Sequence, residues 1–347
     1  MTRDLAINAR FLTQRTTGVQ RFAAEMTAAL GQLGPKPVLL APGATQLPDS
    51  WREQGWRLRA ETGVRGNAWE QLILPFLARG SMLINLANTA PLLRRRQVVV
   101  IHDAGVFATP EAYSWKFRAW YRWLHRRLAR GGTLIATVSE FSRGEIERCL
   151  GVPRGGIAVV GEGAEHILRP PRVVPPLARG SYALAVGTPA AHKNLAALGK
   201  TAAMLRARGL DLVAAGGVAG NVFGAAAWPG GIRPLGRVDD ATLAALYRGA
   251  TCLLFPSRYE GFGLPAIEAM ACGCPVIAAS IPALREVCGD AALFAAPDDP
   301  KGFATAAARL LDEPSLARHL RDAGQARAAR FTWQAAAENL LGAIARA

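Results

Sequence analysis

Short apolar runs at residues 5–9, 38–41, 82–85, 98–101 and 134–138 alternate with stretches whose apolar residues recur at helical spacing. Runs of four or five suit buried strands and the periodic stretches suit crossover helices, so the pattern predicts α/β structure with parallel sheet. A proline-rich stretch at 166–180 excludes regular structure and reads as a linker. The alternation restarts at 182–186, 210–215, 252–255 and 276–278. Two doubly wound domains are expected, at 1–165 and 181–330. A last segment, 331–347, forms a helix with Trp333, Ala337, Leu340, Leu341 and Ile344 on one face. In such sheets ligands bind beyond the carboxyl ends of the strands, where Asn8, Asn85, His102, Gly187 and Pro256 fall and should line a cleft between the domains.

Residues 113–130 read as a two-faced helix. Tyr113, Phe117, Trp120, Tyr121, Leu124 and Leu128 make the expected core face. Trp115, Arg122, Trp123, Arg126 and Arg130 lie opposite, a basic and aromatic surface suited to anionic lipid headgroups or simply to solvent.

Composition narrows the field. At 347 residues there is room for two cores, and half of the residues are hydrophobic. The 41 Lys and Arg, only five of them lysines, outweigh 26 Asp and Glu and give +15, which favours anionic partners without choosing among nucleic acid, lipid and diphosphate. No apolar stretch follows the opening Met-Thr-Arg-Asp, so a cytoplasmic chain is expected. Glycines and a proline break the longest uncharged run, 212–232, which argues against a membrane span. Five cysteines without zinc spacing suggest reduced thiols, and the lack of a D-x-D motif suggests that no metal is needed.

The chemistry concentrates in 255–277. After a buried strand come Glu260, the loop Gly261-Phe262-Gly263-Leu264, and Pro265 at a helix start, where unpaired backbone N–H groups attract anions. Glu268 sits one turn into an otherwise apolar helix, so it needs a partner, and sugar hydroxyls could serve. A phosphate on the loop with hydroxyls held by Glu260 and Glu268 satisfies these demands; a chance pair, one solvated and one ion-paired, is the plainer alternative. A second phosphate cradle follows the strand at 182–186, where Gly187 allows close approach and Lys193 supplies charge beside His192. His102-Asp103 ends the strand at 98–101, with Asp103 placed to orient the histidine.

Residues 260–276, Glu-Gly-Phe-Gly-Leu-Pro-Ala-Ile-Glu-Ala-Met-Ala-Cys-Gly-Cys-Pro-Val, resemble the signature of retaining glycosyltransferases of family 4. Similar segments at 7–22, 69–102, 137–146, 185–194 and 234–262 extend the likeness over essentially the whole chain. The resemblance implies the GT-B fold, two Rossmann-like doubly wound domains facing across a cleft, with the last helix returning to the first domain. It implies a nucleotide sugar as substrate and no cofactor. By the same likeness Glu260 holds the donor sugar, Glu268 the ribose and His192 and Lys193 the diphosphate, with His192 standing where the family usually has Arg. His102 lies beside the reacting sugar, Val238 follows a strand whose backbone reads the base, and Gly18 and Arg21 belong to a loop that closes over phosphate or acceptor.

The expected reaction moves a hexose, first of all mannose from GDP-mannose, to a surface glycan on a polyprenyl diphosphate at the inner membrane face. Glycoside hydrolysis explains the glutamates but not the phosphate cradles. An epimerase of the same fold explains both, and a non-catalytic basic membrane-binding protein explains the charge. No nucleic-acid motif is present.

Overall fold

The computed structural model describes residues 4–61, 63–169, 177, 180–217, 228 and 230–347. The chain divides into two compact units, one of Met1–Ala104, Ala119–Gly163 and Trp333–Ala347, the other of Gly105–Arg118 and Ala164–Thr332.

In the first unit the strands β1 (Leu5–Asn8), β2 (Val38–Pro42), β3 (Leu58–Glu61), β4 (Met82–Asn85), β5 (Gln97–Val100), β6 (Leu134–Thr137) and β7 (Ala158–Val159) form one parallel sheet. Their order is β3-β2-β1-β4-β5-β6-β7. β4 and β5 are buried along their whole length, as strands covered on both faces must be. Helix Gly18–Leu30 buries Phe22, Ala23, Met26, Ala29 and Leu30, a stripe at three- and four-residue spacing. Helix Trp333–Arg346 packs on it, with the fully buried Trp333 ring edge-on to Phe22 at 5.7 Å. Trp69 fills the core beside Ala6, Leu40, Leu74, Ala78 and Leu83. Burying each large apolar side chain of this kind contributes roughly 1.5–3 kcal/mol.

The second unit's strands are β8 (Tyr182–Val186), β9 (Asp211–Ala215), β10 (Ile232–Gly236), β11 (Leu253–Phe255), β12 (Val276–Ala279) and β13 (Ala292–Ala295), in the order β10-β9-β8-β11-β12-β13. Both sheets thus reverse winding beside their first strand, between β1 and β4 and between β8 and β11. Ligands of open α/β sheets bind at the carboxyl side of that point. Pro234 is accommodated because β10 is an edge strand with N–H positions to spare.

Two expectations need revision. The region expected to be linker opens with a 3-10 turn, Glu165–Leu168, in which His166 and Ile167 are buried; of the rest, 170–176 and 178–179 lie outside the described residues. Helix Trp115–Arg130 buries Leu124 and Leu128 as expected, but His125 joins them while Phe117, Trp120 and Tyr121 are half-buried. A histidine reads as polar, yet here its Nε2–H donates to the Asn88 carbonyl at 2.9 Å and removes the cost of burying it. Burial pushes its pKa down to about 4.

Candidate functional site

In the second unit, two strand ends are drawn together by glycines. Gly187 follows β8 at φ 148° and Gly216 follows β9 at φ 155°. A Cβ on Gly216 would lie 1.9 Å from the Gly187 carbonyl oxygen, so the backbones touch where side chains would keep them apart. Beyond Gly187 the turn Ala191–Lys193 ends at Asn194, held at φ 55°. Its side-chain amide donates to the carbonyls of Pro256 at 3.1 Å and Pro297 at 2.7 Å. The Arg258 N–H donates to the His192 carbonyl at 2.9 Å, so the loops after β8 and β11 are fastened together.

That fastening brings Lys193 against Glu260. The ammonium donates to both carboxylate oxygens, at 2.8 and 2.9 Å, with Glu260 buried and Lys193 partly open. The likeness to the family assigned these two to neighbouring parts of one substrate, and the fold places them side by side. His192 stacks parallel to Tyr113, ring centroids 6.3 Å apart. Burial, then the adjacent Lys193 charge, lowers its pKa to about 4, so at neutral pH it carries no charge. Gly261, Phe262 and Gly263 are buried and lead into helix Leu264–Ala271, with Gly263 at φ 102° as N-cap. Its N-cap residue, a glycine, has no side chain to cap that helix start. Val238 is half-buried just beyond β10.

Glu268 is not the lone charge that its apolar neighbours suggest. The His166 Nε2–H donates to Oε1 at 2.9 Å and the Tyr247 hydroxyl donates to Oε2 at 3.0 Å. Neither partner was legible in the sequence, since Tyr247 comes from helix Asp240–Gly249 and His166 from the turn that opens the proline-rich stretch.

In the first unit, His102 follows β5 and is buried. Its Nε2–H donates to the Leu86 carbonyl at 3.0 Å, its Nδ1 lies 3.7 Å from Glu162, and Phe22 meets the ring edge-on at 4.6 Å. The Asn88 side chain accepts from the His102 N–H at 2.7 Å from a residue itself held at φ 65°. Glu162 and Asn88 escaped sequence reading because each is 14 or more positions away, in an unpatterned loop. Asp103 is half-buried. Gly18 opens its helix, and Arg21 lies 3.8 Å from Glu25. A buried network that sequence reading also missed fills the ends of β1 and β4. The Asn8 amide donates to Glu70 at 2.7 Å and to Asn85 at 3.1 Å, and Arg10 pairs with Glu70 at 3.2 Å. On helix Trp115–Arg130, Trp115, Trp123, Arg126 and Arg130 are exposed and Arg122 is half-buried. The five cysteines are free thiols, and burial pushes Cys252, Cys272 and Cys288 up to about 12.

Comparison with known proteins gives the site its context. Residues 16–168 match the Glycosyltransferase Family 4 model and residues 180–313 match Glycosyl transferases group 1. The O-antigen chain mannosyltransferase B of Escherichia coli is 35% identical over 259 residues, covering 69% of this chain and 67% of the relative. The O-antigen chain mannosyltransferase RfbU of Salmonella typhimurium is 29% identical over 63% of this chain and 62% of the relative. The chain therefore spans about two thirds of the length of these two relatives. Among solved structures, Anabaena HepE in complex with UDP and glucose superposes with a TM-score of 0.76 at 13% identity, over 99% of this chain and 100% of that one, a likeness of fold. The motif at Glu260–Glu268, the two parallel sheets and these matches agree, and the chain belongs to glycosyltransferase family 4, with the GT-B fold.

Proposed function

We propose that the chain is a retaining mannosyltransferase that moves mannose from GDP-mannose to a growing surface polysaccharide carried on a polyprenyl diphosphate. The observation that carries this reading is the Lys193–Glu260 pair, held beside the glycine-lined ends of β8 and β9 in the unit that also presents the uncapped helix start at Leu264. A cation and a hydroxyl acceptor at hydrogen-bonding distance match the diphosphate and the sugar of one nucleotide sugar. Stabilising the departing diphosphate is the main electrostatic demand of the reaction, and Lys193 meets it with charge while His192 offers a neutral N–H. Gly261 to Leu264 give backbone donors to phosphate, Val238 lies by the base, and Glu268 takes the ribose hydroxyls. On the acceptor side, His102 contacts the reacting sugar, with Asp103, Gly18 and Arg21 around the acceptor or its phosphate. The Escherichia coli and Salmonella relatives are O-antigen chain mannosyltransferases, which supports mannose as the sugar, with GDP proposed as the nucleotide that carries it.

Thermal unfolding with GDP, UDP and dTDP, with and without magnesium, tests the reading. GDP alone should raise the melting temperature without metal, by the equivalent of about 2.7 kcal/mol at a hundredfold excess over Kd. The shift should vanish in Glu268→Ala and shrink in Lys193→Ala. A shift with UDP or dTDP instead would replace the donor, and no shift with any nucleotide would overturn the assignment.

A further inference from the structure

Glu268 is 6% exposed and carries two protein donors, one on each oxygen. An ionised carboxylate has about four acceptor positions, so with His166 and Tyr247 as its side-chain donors among the described residues, two remain. Two vicinal hydroxyls need that number. Both donors are themselves buried, His166 at 3% exposure and Tyr247 at 0%. Each is a side chain that must point this way: a carboxylate can only accept, so His166 presents Nε2–H and Tyr247 its O–H. Burial, followed by the Glu268 charge, raises the Tyr247 pKa well above its ordinary value, which keeps the hydroxyl a donor. The neighbouring thiols Cys272 and Cys274 are likewise raised by burial and stay protonated.

We propose that His166 and Tyr247 are positioning residues that fix the Glu268 carboxylate in one orientation, with one free acceptor position on each oxygen, so that it selects a nucleotide bearing both ribose hydroxyls. The inference rests on the reading of Glu268 as the ribose ligand. It gives the turn Glu165–Leu168 a task in the site: the turn packs on helices Asp240–Gly249 and Leu264–Ala271 and carries into that space a donor from 102 positions away. A carboxylate with only one fixed oxygen can rotate about its last bond, and a rotating acceptor pairs poorly with a rigid diol.

The test is calorimetric binding of GDP and of 2′,3′-dideoxy-GDP to the full chain, in wild type, Glu268→Gln, His166→Leu, His166→Gln and Tyr247→Phe. Wild type should prefer GDP. His166→Leu and Tyr247→Phe should each reduce that preference about tenfold, which is about 1.4 kcal/mol, while leaving dideoxy-GDP affinity unchanged. His166→Gln, which restores an N–H donor, should recover most of the preference. An unchanged preference in both His166→Leu and Tyr247→Phe, alongside a lost one in Glu268→Gln, would overturn the positioning role and leave Glu268 as the ribose ligand. Equal weakening of both nucleotides would also overturn it, since that is the mark of a purely structural part. No preference in wild type would overturn the ribose reading and this inference with it.

Discussion

His192 and His125 show what burial does to single titratable groups. Each is lowered from 6.5 to about 4, His192 by desolvation and then by Lys193, His125 by desolvation against a carbonyl hydrogen bond. Below pH 6.5 the unfolded chain takes up protons that the folded chain refuses, so the stability these groups contribute is intact above that value and is lost as the pH falls toward 4. A His125→Gln/His192→Gln double variant should therefore lose less melting temperature than wild type between pH 7 and pH 4.5. An equal fall in both would contradict the assignment. Residue types and their spacing made Glu260, Glu268 and Lys193 legible as site candidates, because a carboxylate in an apolar helix and a lysine after a glycine turn are locally odd. Their mutual contacts were not legible: the Lys193–Glu260 pair joins loops 67 positions apart.

At the scale of elements, the strand ends depend on backbone approach more than on side chains. Gly216 combines φ 155° with a would-be Cβ on a neighbouring carbonyl, whereas a Cβ on Gly144, exposed in helix Glu140–Leu150, would meet nothing within 4 Å. Gly216→Ala should cost about 1–3 kcal/mol from backbone strain alone and weaken nucleotide binding. Gly144→Ala should stabilise by up to about 1 kcal/mol through helix propensity. Urea unfolding of both variants checks the opposite signs, and a neutral Gly216→Ala would refute the close approach. The central strands β4, β5, β8, β11 and β12 were visible as apolar runs because both faces are covered. The strands absent from the reading, β3, β7 and β13, are all sheet edges, where solvent reaches part of the strand or the run is too short to stand out.

At the scale of the molecule, the charge of +15 and the surface of helix Trp115–Arg130 belong together. Trp115 is 68% and Trp123 47% exposed, on the same helix as exposed Arg126 and Arg130, an amphipathic arrangement that fits an anionic bilayer surface. No helix among the described residues is long and apolar enough to cross a membrane. Each basic residue near an anionic leaflet contributes about 1 kcal/mol, so Arg122→Glu, Arg126→Glu and Arg130→Glu together should lower binding to phosphatidylglycerol vesicles by at least on the order of 100-fold. Vesicle flotation measures it, and undiminished binding would exclude this face.

By itself the sequence determined the α/β class, the alternation of buried strands with helices, the glycine loop into Leu264 and the residue types of the site. These are local properties, written in runs, periods and caps within about twenty residues. Only the tertiary structure decided that Glu268 is gripped by His166 and Tyr247, that Glu162 lies beside His102 and that Arg10 pairs with Glu70. Such pairs join side chains from separate elements, and their meeting follows from strand order and crossover packing, which no local pattern encodes.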